Sequence, residues 1–437
     1  MPSEESYGVY GYRWVVLVSF MLIGALTQLM WLAYAPILKE TEFLMGASEF
    51  KVTLLMLMFP LLYVPVSIPA GFIIDRKGWR FAVMIGAVCT AGFSFLRIFA
   101  DNYPLVLLGM LGIAIGQPFV LNSITKMVTT WFPSKESATA TGIATLSLFL
   151  GMIMAYGLLP PLYKAFGGVT GDALQPGLTV APLRSLALLF SFVALGGLLL
   201  FALLGRARPA KPPKREEAEL VADSASINWK SLRRVMGLKN FRILCLVIFI
   251  GNGSFVGILQ LLEKILSPKG IGTTTAGNIG TVMIVAGVVG CVIIPALSDK
   301  TGRRKPFLIL AAVVTVPMLL LVGALSSTAL IFAASGVMGF FLFSALPIML
   351  TLAEENTGAH LTGTATAMLM LMGNFGGVVI TLLMEGIKGA TGGPSGSFTW
   401  AMVFIAALFT VAVAVGLKLR EEPKQPPAGQ SLTLAED

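Results

Sequence analysis

Long apolar runs separated by short polar stretches organise the chain from end to end. Six of them fall at about residues 14–38, 52–74, 79–100, 104–131, 137–160 and 182–205, and six more at about 241–266, 275–298, 305–325, 328–354, 361–386 and 397–419. Each is near the ~20 residues that carry a helix across a bilayer. Backbone amides in hydrocarbon must be bonded within their own segment, so the pattern predicts an all-α membrane protein with twelve transmembrane helices. The first run follows Glu4, Glu5 and Tyr7 rather than a basic stretch, and it is long enough to span. It therefore reads as a retained helix rather than a cleaved leader.

The runs fall into two sets of six, and a short polar motif repeats with them. Gly71-Phe-Ile-Ile-Asp75-Arg76-Lys77-Gly78-Trp79-Arg80 lies before the third run, and Pro295-Ala-Leu-Ser-Asp299-Lys300-Thr301-Gly302-Arg303-Arg304 lies before the ninth. Asp75 and Asp299 are 224 positions apart. A loop joining two antiparallel spans must turn tightly and sit on the basic side of the membrane, which accounts for Gly78 and its cationic neighbours. Gly71 suits the close approach of a neighbouring helix, and Asp75 sits where a carboxylate can hold a helix N-terminus or a basic residue. The duplicated motif resembles the G-x-x-x-D-R-x-G-R loop of the major facilitator superfamily. That resemblance implies a fold of two six-helix bundles with internal repeats, and it gives Gly71, Asp75, Arg76, Gly78, Arg80, Asp299, Gly302, Arg303 and Arg304 the role of a conformational latch. Pro295 stands where the second copy would have its leading Gly.

Composition agrees with the membrane reading: 56% of residues are hydrophobic and only 12% are charged, with a mean hydropathy of +0.85. Soluble domains carry about 25% charged residues. Cys89, Cys245 and Cys291 all lie in apolar runs and His360 has no His or Cys near it in sequence, so neither a disulfide framework nor a metal site is expected. No phosphate-binding loop or nucleophile elbow is present, which argues against an enzyme, and no cofactor is implied. The net charge of +9 belongs to topology rather than to nucleic acid. About 23 of the 31 Lys and Arg lie on the side of both termini, which predicts cytoplasmic ends for a multi-pass cell-membrane protein.

These features divide the chain into an N-terminal bundle over 1–205, a linker over 206–240, a C-terminal bundle over 241–419 and a tail over 420–437 with the composition of a disordered segment. Within the linker, Trp229, Leu232, Val235 and Met236 share one helical face, as in a short helix lying at the membrane interface. A monomer in the lipid bilayer is expected, with a small-molecule solute as its partner.

Polar and aromatic groups inside the spans are the candidates for touching that solute, because hydrocarbon tolerates them only where they have a partner. The first run offers Thr27, Gln28, Trp31 and Tyr34 at helical spacing. The seventh offers Asn252, Phe255, Gln260 and Glu263; Gln117 and Asn122 come from the fourth and Asn374 from the eleventh. The 224-residue shift pairs Gln28 with Asn252 and Trp31 with Phe255, and repeat-related positions face one another across the cavity in such transporters. Glu263 is the one acidic group near this stripe, placed to draw cations toward the mouth or, alternatively, to pair with Lys264 or a loop charge.

A narrower resemblance, to the feline leukaemia virus subgroup C receptor-related branch associated with choline, ethanolamine or haem-related transport, rests on several stretches. They are Arg13-Trp14-Val15-Val16, Trp31-Leu-Ala-Tyr34, Gln117-Pro-Phe119-Val-Leu121 through Trp131-Phe132 and Glu136, Gly253-Ser254-Phe255 with Leu261-Leu262, and Gly363-Thr364. The resemblance implies an aromatic cage for a quaternary ammonium group in which Trp31 takes part. The chain departs from the branch at Val256, where a Tyr would complete the cage, at Phe149 and Asn374 in place of Gln, and at Glu263 in place of Asn. The expected function is a facilitative or weakly coupled secondary transporter of a small organic solute, a choline-like cation before others. An organic-anion carrier using Lys126 is the alternative, and a non-transporting receptor or sensor is a third reading.

Overall fold

The computed structural model describes residues 8–213, 229–357, 361–392 and 397–419. Among them are twelve helices long and apolar enough to cross a membrane, and no strand. We label them α1 (Tyr12–Met45), α2 (Glu49–Lys77), α3 (Trp79–Ile98), α4 (Tyr103–Trp131), α5 (Lys135–Ala165), α6 (Ala181–Leu204), α7 (Lys239–Lys269), α8 (Thr273–Thr301), α9 (Lys305–Ala324), α10 (Thr328–Thr357), α11 (Gly363–Thr391) and α12 (Thr399–Gly416). Linker residues 214–228 and the tail from 420 lie outside the described residues. A linker helix, Trp229–Gly237, precedes α7. Its Val235 is buried and Met236 packs against the same apolar cluster, which includes Phe241 and Leu244 of α7, so this face meets protein.

The two sets of six pack by the same plan. In the first, α1 lies against α5, with Gly24 so near Ser147 that a Cβ would come within 2.8 Å of its hydroxyl. In the second, α7 lies against α11, and a Cβ on Gly253 would come within 2.6 Å of the Gly376 backbone. Small residues at these crossings let backbones approach where hydrophobicity supplies no net drive. The repeat-related pairs α2·α4 and α8·α10, and α3·α4 and α9·α10, are packed as well.

α1 is not one continuous helix. Its regular part ends at Trp31, residues Ala35–Ile37 form a 3₁₀ turn, and a second piece runs from Leu38 to Met45. Pro36 explains the break, since it has no N–H to give to Leu32 and its ring would collide with that carbonyl in a regular helix. α4 carries a gentler interruption at Asn122 and Ser123, between Leu121 and Ile124. There the Tyr63 hydroxyl donates to Asn122 Oδ1 at 2.7 Å, and Asn122 Nδ2 donates to Ser67 Oγ at 2.9 Å. Asn122 thus joins α2 to α4.

Candidate functional site

The two halves meet at mid-depth through aromatic rings. Phe343 of α10 has its ring centroid 4.4 Å from Phe255 of α7 and 5.4 Å from Phe149 of α5, so the cluster spans both sets of helices. Phe149 and Phe255 are only partly buried. On α1, Trp31 is buried with no acceptor for its indole N–H, and the Gln28 side-chain oxygen is buried with no donor. Polar groups left unmatched among packed apolar side chains are costly unless a ligand or water completes them.

The other polar candidates are placed less directly. Asn252 rests on Gly373 of α11, and Asn374 donates to Met370 O of its own helix at 2.9 Å. Thr27 likewise bonds to Gly24 O. Gln117 is buried on α4.

Tyr34 leaves the stripe that regular helical spacing gives it, because the break at Pro36 rotates everything beyond Trp31. Its hydroxyl accepts from Arg97 Nε at 3.2 Å, and the guanidinium lies 5.0 Å from the ring centre. Arg97 is 2% exposed and also donates to Met30 Sδ at 2.8 Å. The ring of Tyr34 is therefore already occupied by an internal cation.

Gln260 and Glu263 lie not at the mid-depth cluster but in a closure at the face opposite the termini. Gln260 Nε2 reaches Met56 O of α2 at 3.4 Å, and Glu263 Oε2 accepts the Lys39 N–H at 3.2 Å, at the start of the second piece of α1. A carboxylate there complements the helix N-terminus, and it comes from the opposite half. Beside it, Lys264 Nζ lies 3.1 Å from Glu42, 3.2 Å from Glu49 and 3.1 Å from Glu385. Thr53 donates to Glu385 at 2.7 Å, Lys388 pairs with Glu49, and Thr273 donates to Glu40 at 2.5 Å. The Tyr156 hydroxyl bonds to Leu259 O. Glu263 is 2% exposed. Of the two expectations for it, neither a place open at the mouth of the pathway nor a pairing with Lys264 is met: Glu263 is interior to this closure, and its neighbour Lys264 serves three other carboxylates.

At the terminal face, the two motif copies bond within their own halves. Arg80 donates to Ala202 O at 3.0 Å and to Gly205 O, closing the C-terminal end of α6. In the second half Lys305, one residue past Arg304, donates to Leu417 O at 2.7 Å and Leu419 O at 2.8 Å beyond α12. Cations on the last carbonyls of a helix are favourable on both hydrogen-bonding and dipole grounds. Arg304 pairs with Asp299 and, at 3.5 Å, with Glu355. Ser298 donates to Arg303 O. Gly78 (φ 87°) and Gly302 (φ 65°) make the turns in backbone conformations that disfavour a side chain. Asp75 and Arg76 are exposed. Gly71 faces open space, with nothing within 4 Å of a built Cβ, so the close approach expected of it is not made in this structure.

Several stretches that carried the narrower resemblance meet in one cluster on the same face. Arg13 grips Glu136 through two bonds of 3.0 and 3.2 Å, and Trp14 stacks edge-on against Phe132 at 5.1 Å. They join α1 to the start of α5 and do not approach the mid-depth cluster. Phe343 escaped the sequence reading altogether. The 224-residue shift maps it onto Phe119, beside Gln117, and extending the repeat from the first and seventh runs to the fourth and tenth would have found it.

A twelve-helix bundle closed at one face, with unmatched polar and aromatic groups at mid-depth, defines a polytopic membrane transporter rather than an enzyme. The family model described as Major Facilitator Superfamily matches residues 10–381, and the chain belongs to that superfamily. It is 27% identical over 436 residues to an uncharacterized transporter of the same superfamily from Caenorhabditis elegans, covering 95% of this chain and 70% of the relative. It is 25% identical over 449 residues to a choline/ethanolamine transporter of Danio rerio, covering 99% of this chain and 92% of that protein. Among solved structures, a bacterial homolog of the human lysosomal transporter Spinster, in an inward-facing and unoccupied conformation, superposes with a TM-score of 0.73 at 18% identity. That match covers 95% of this chain and 100% of the other, and it shows a shared fold.

Proposed function

We propose that the chain is an alternating-access carrier of a small organic solute, with a choline-like organic cation as its substrate class. It works in the cell membrane with both termini cytoplasmic, as a facilitative or weakly coupled carrier. The observation that carries this reading is the asymmetry of the bonds between halves. They gather at the face opposite the termini, while the bonds described at the terminal face stay within one half, as in a carrier caught open on one side. Gln28, Trp31, Phe149, Phe255 and Phe343 lie between the two.

Cation recognition is supported by this aromatic setting and by the printed names of relatives such as the Danio rerio transporter. One ring contributes ~0.5 to 2 kcal/mol to a cation, whereas millimolar binding needs about 4 kcal/mol. Trp31 therefore needs the phenylalanine cluster and Gln28 beside it. Arg97 favours a second reading, an organic-anion carrier, because its buried guanidinium has neutral partners in Tyr34 and Met30. Counterflow of labelled choline in liposomes decides between them. Saturable choline counterflow that weakens in Phe343→Ala supports the cation reading. Counterflow with monocarboxylates and none with choline transfers it to the anion reading, and binding without counterflow makes the protein a receptor.

A further inference from the structure

We propose that Glu40 and Glu263 form a proton-binding site completed only when the face opposite the termini closes, so that closure takes up one proton from the solvent on that face and opening returns it. The two carboxyl groups come from opposite halves, and both are buried beside the break in α1. Glu263 accepts the N–H of Lys39, the residue next to Glu40, at 3.2 Å. Glu40 accepts from Thr273 at 2.5 Å, and its second oxygen is buried with no hydrogen-bond partner. Glu40 is 1% exposed and Glu263 2%.

Charges on the surrounding elements only partly offset this pair. Lys39 is the nearest cation to both, but its side chain is exposed to solvent, which screens it. Lys264 is shared among Glu42, Glu49 and Glu385, and Lys388 is held by Glu49. Tyr156 of α5 gives its hydroxyl to Leu259 O, and Tyr163 gives its own to Val169 O. Around the closure five carboxylates therefore meet two interior lysines. Two like charges shut away from water, with only one solvent-exposed lysine beside them, cannot both remain ionised. A metal ion is the poorer occupant, because no group of three or more His, Cys, Asp or Glu able to hold one occurs among the described residues.

The direction of the pH effect follows from linkage. The closed state holds a proton that the open state, with both carboxyls in water, gives up above the ordinary carboxylate range. Because closure takes up a proton, raising the pH lowers the closed-to-open ratio, by up to tenfold per pH unit.

The inference rests on the alternating-access reading for the existence of an open counterpart, and it needs nothing from the identity of the solute. The test is a distance measurement without solute, on full-length protein with Cys89, Cys245 and Cys291 replaced by alanine and spin labels at the exposed positions 43 and 268. Between pH 6 and 9 the short-distance population should fall. In Glu263→Gln, and separately in Glu40→Gln, it should stay high and flat. A flat wild-type profile overturns the proposal, as does a wild-type profile in both glutamine variants. A population that follows sodium at fixed pH and ignores pH overturns it too, by making the occupant a metal cation. Choline counterflow in the same preparation reports separately on the carrier reading.

Discussion

Lysine 264 and arginine 80 are both basic residues near a membrane face, yet they bind in opposite senses. Lys264 of α7 reaches across the molecule to Glu42 and Glu49 and sideways to Glu385. Arg80 of α3 turns to the carbonyl ends of α6 in its own half, as Lys305 does for α12. In the proposed alternating-access cycle the first kind of bond must break at each turnover, and the second need not. A closure proposed to open is built from ion pairs in which a buried lysine meets carboxylates that keep partial access to water. A bundle that must persist is tied by cation-to-carbonyl bonds and small-residue helix crossings, which stay satisfied in either state.

The largest expected effect lies in the closure. Lys264→Met leaves three carboxylates without their shared cation, and stranding a buried charge costs about 3 kcal/mol at the lower end of such cases. The closed-to-open ratio should drop by roughly 100-fold. The check is a cysteine at position 260, which should become reactive toward a membrane-impermeant reagent from the face opposite the termini.

Next is a change that should leave that balance alone. Arg80→Ala and Lys305→Ala each remove a cation from a helix C-terminus, worth ~0.3 to 1 kcal/mol at an exposed end and somewhat more here with the lost hydrogen bonds. Thermal denaturation should show a lowered melting temperature in both, with the same fraction closed. A change in the fraction closed would mean that the motif couples the halves directly in this state.

A smaller effect belongs to the mid-depth site. Trp31→Ala should weaken choline binding by roughly 2- to 30-fold through lost cation-π contact, while a neutral isostere of choline should be little affected. Equal losses for both ligands would reduce Trp31 to a packing wall. Smallest in binding is Asp75→Asn, which is expected to slow transport with affinity unchanged, because the exposed Asp75 acts only if the terminal face closes onto it. Wild-type transport rates in that variant would remove the latch role.

The sequence made the twelve spans, their two-fold repetition and the turns at Gly78 and Gly302 legible, because hydropathy, charge and turn chemistry are local properties. It also drew attention to Trp31 and Phe255, since the repeat carries one onto the other. It misled at Tyr34 because helical spacing was carried past Pro36, which breaks the helix. It misled at Glu263 because the partner of that carboxylate is a backbone N–H on the other half, and no local pattern encodes such a meeting. Phe343 went unnoticed for a different reason: as one phenylalanine among 28, it stands out only through the repeat or through its contacts with Phe149 and Phe255.

The central claim, that one face is held shut by bonds between halves while the other stands open, is tested most directly by measuring distances across both faces of the same protein. Spin-label pairs at positions 43 and 268 report on the closed face, and pairs at the exposed Lys77 and Lys300 report on the terminal face. On replacing Lys264 with Met, the account predicts that the first distance lengthens while the second shortens. Both distances unchanged, or both longer, would contradict it.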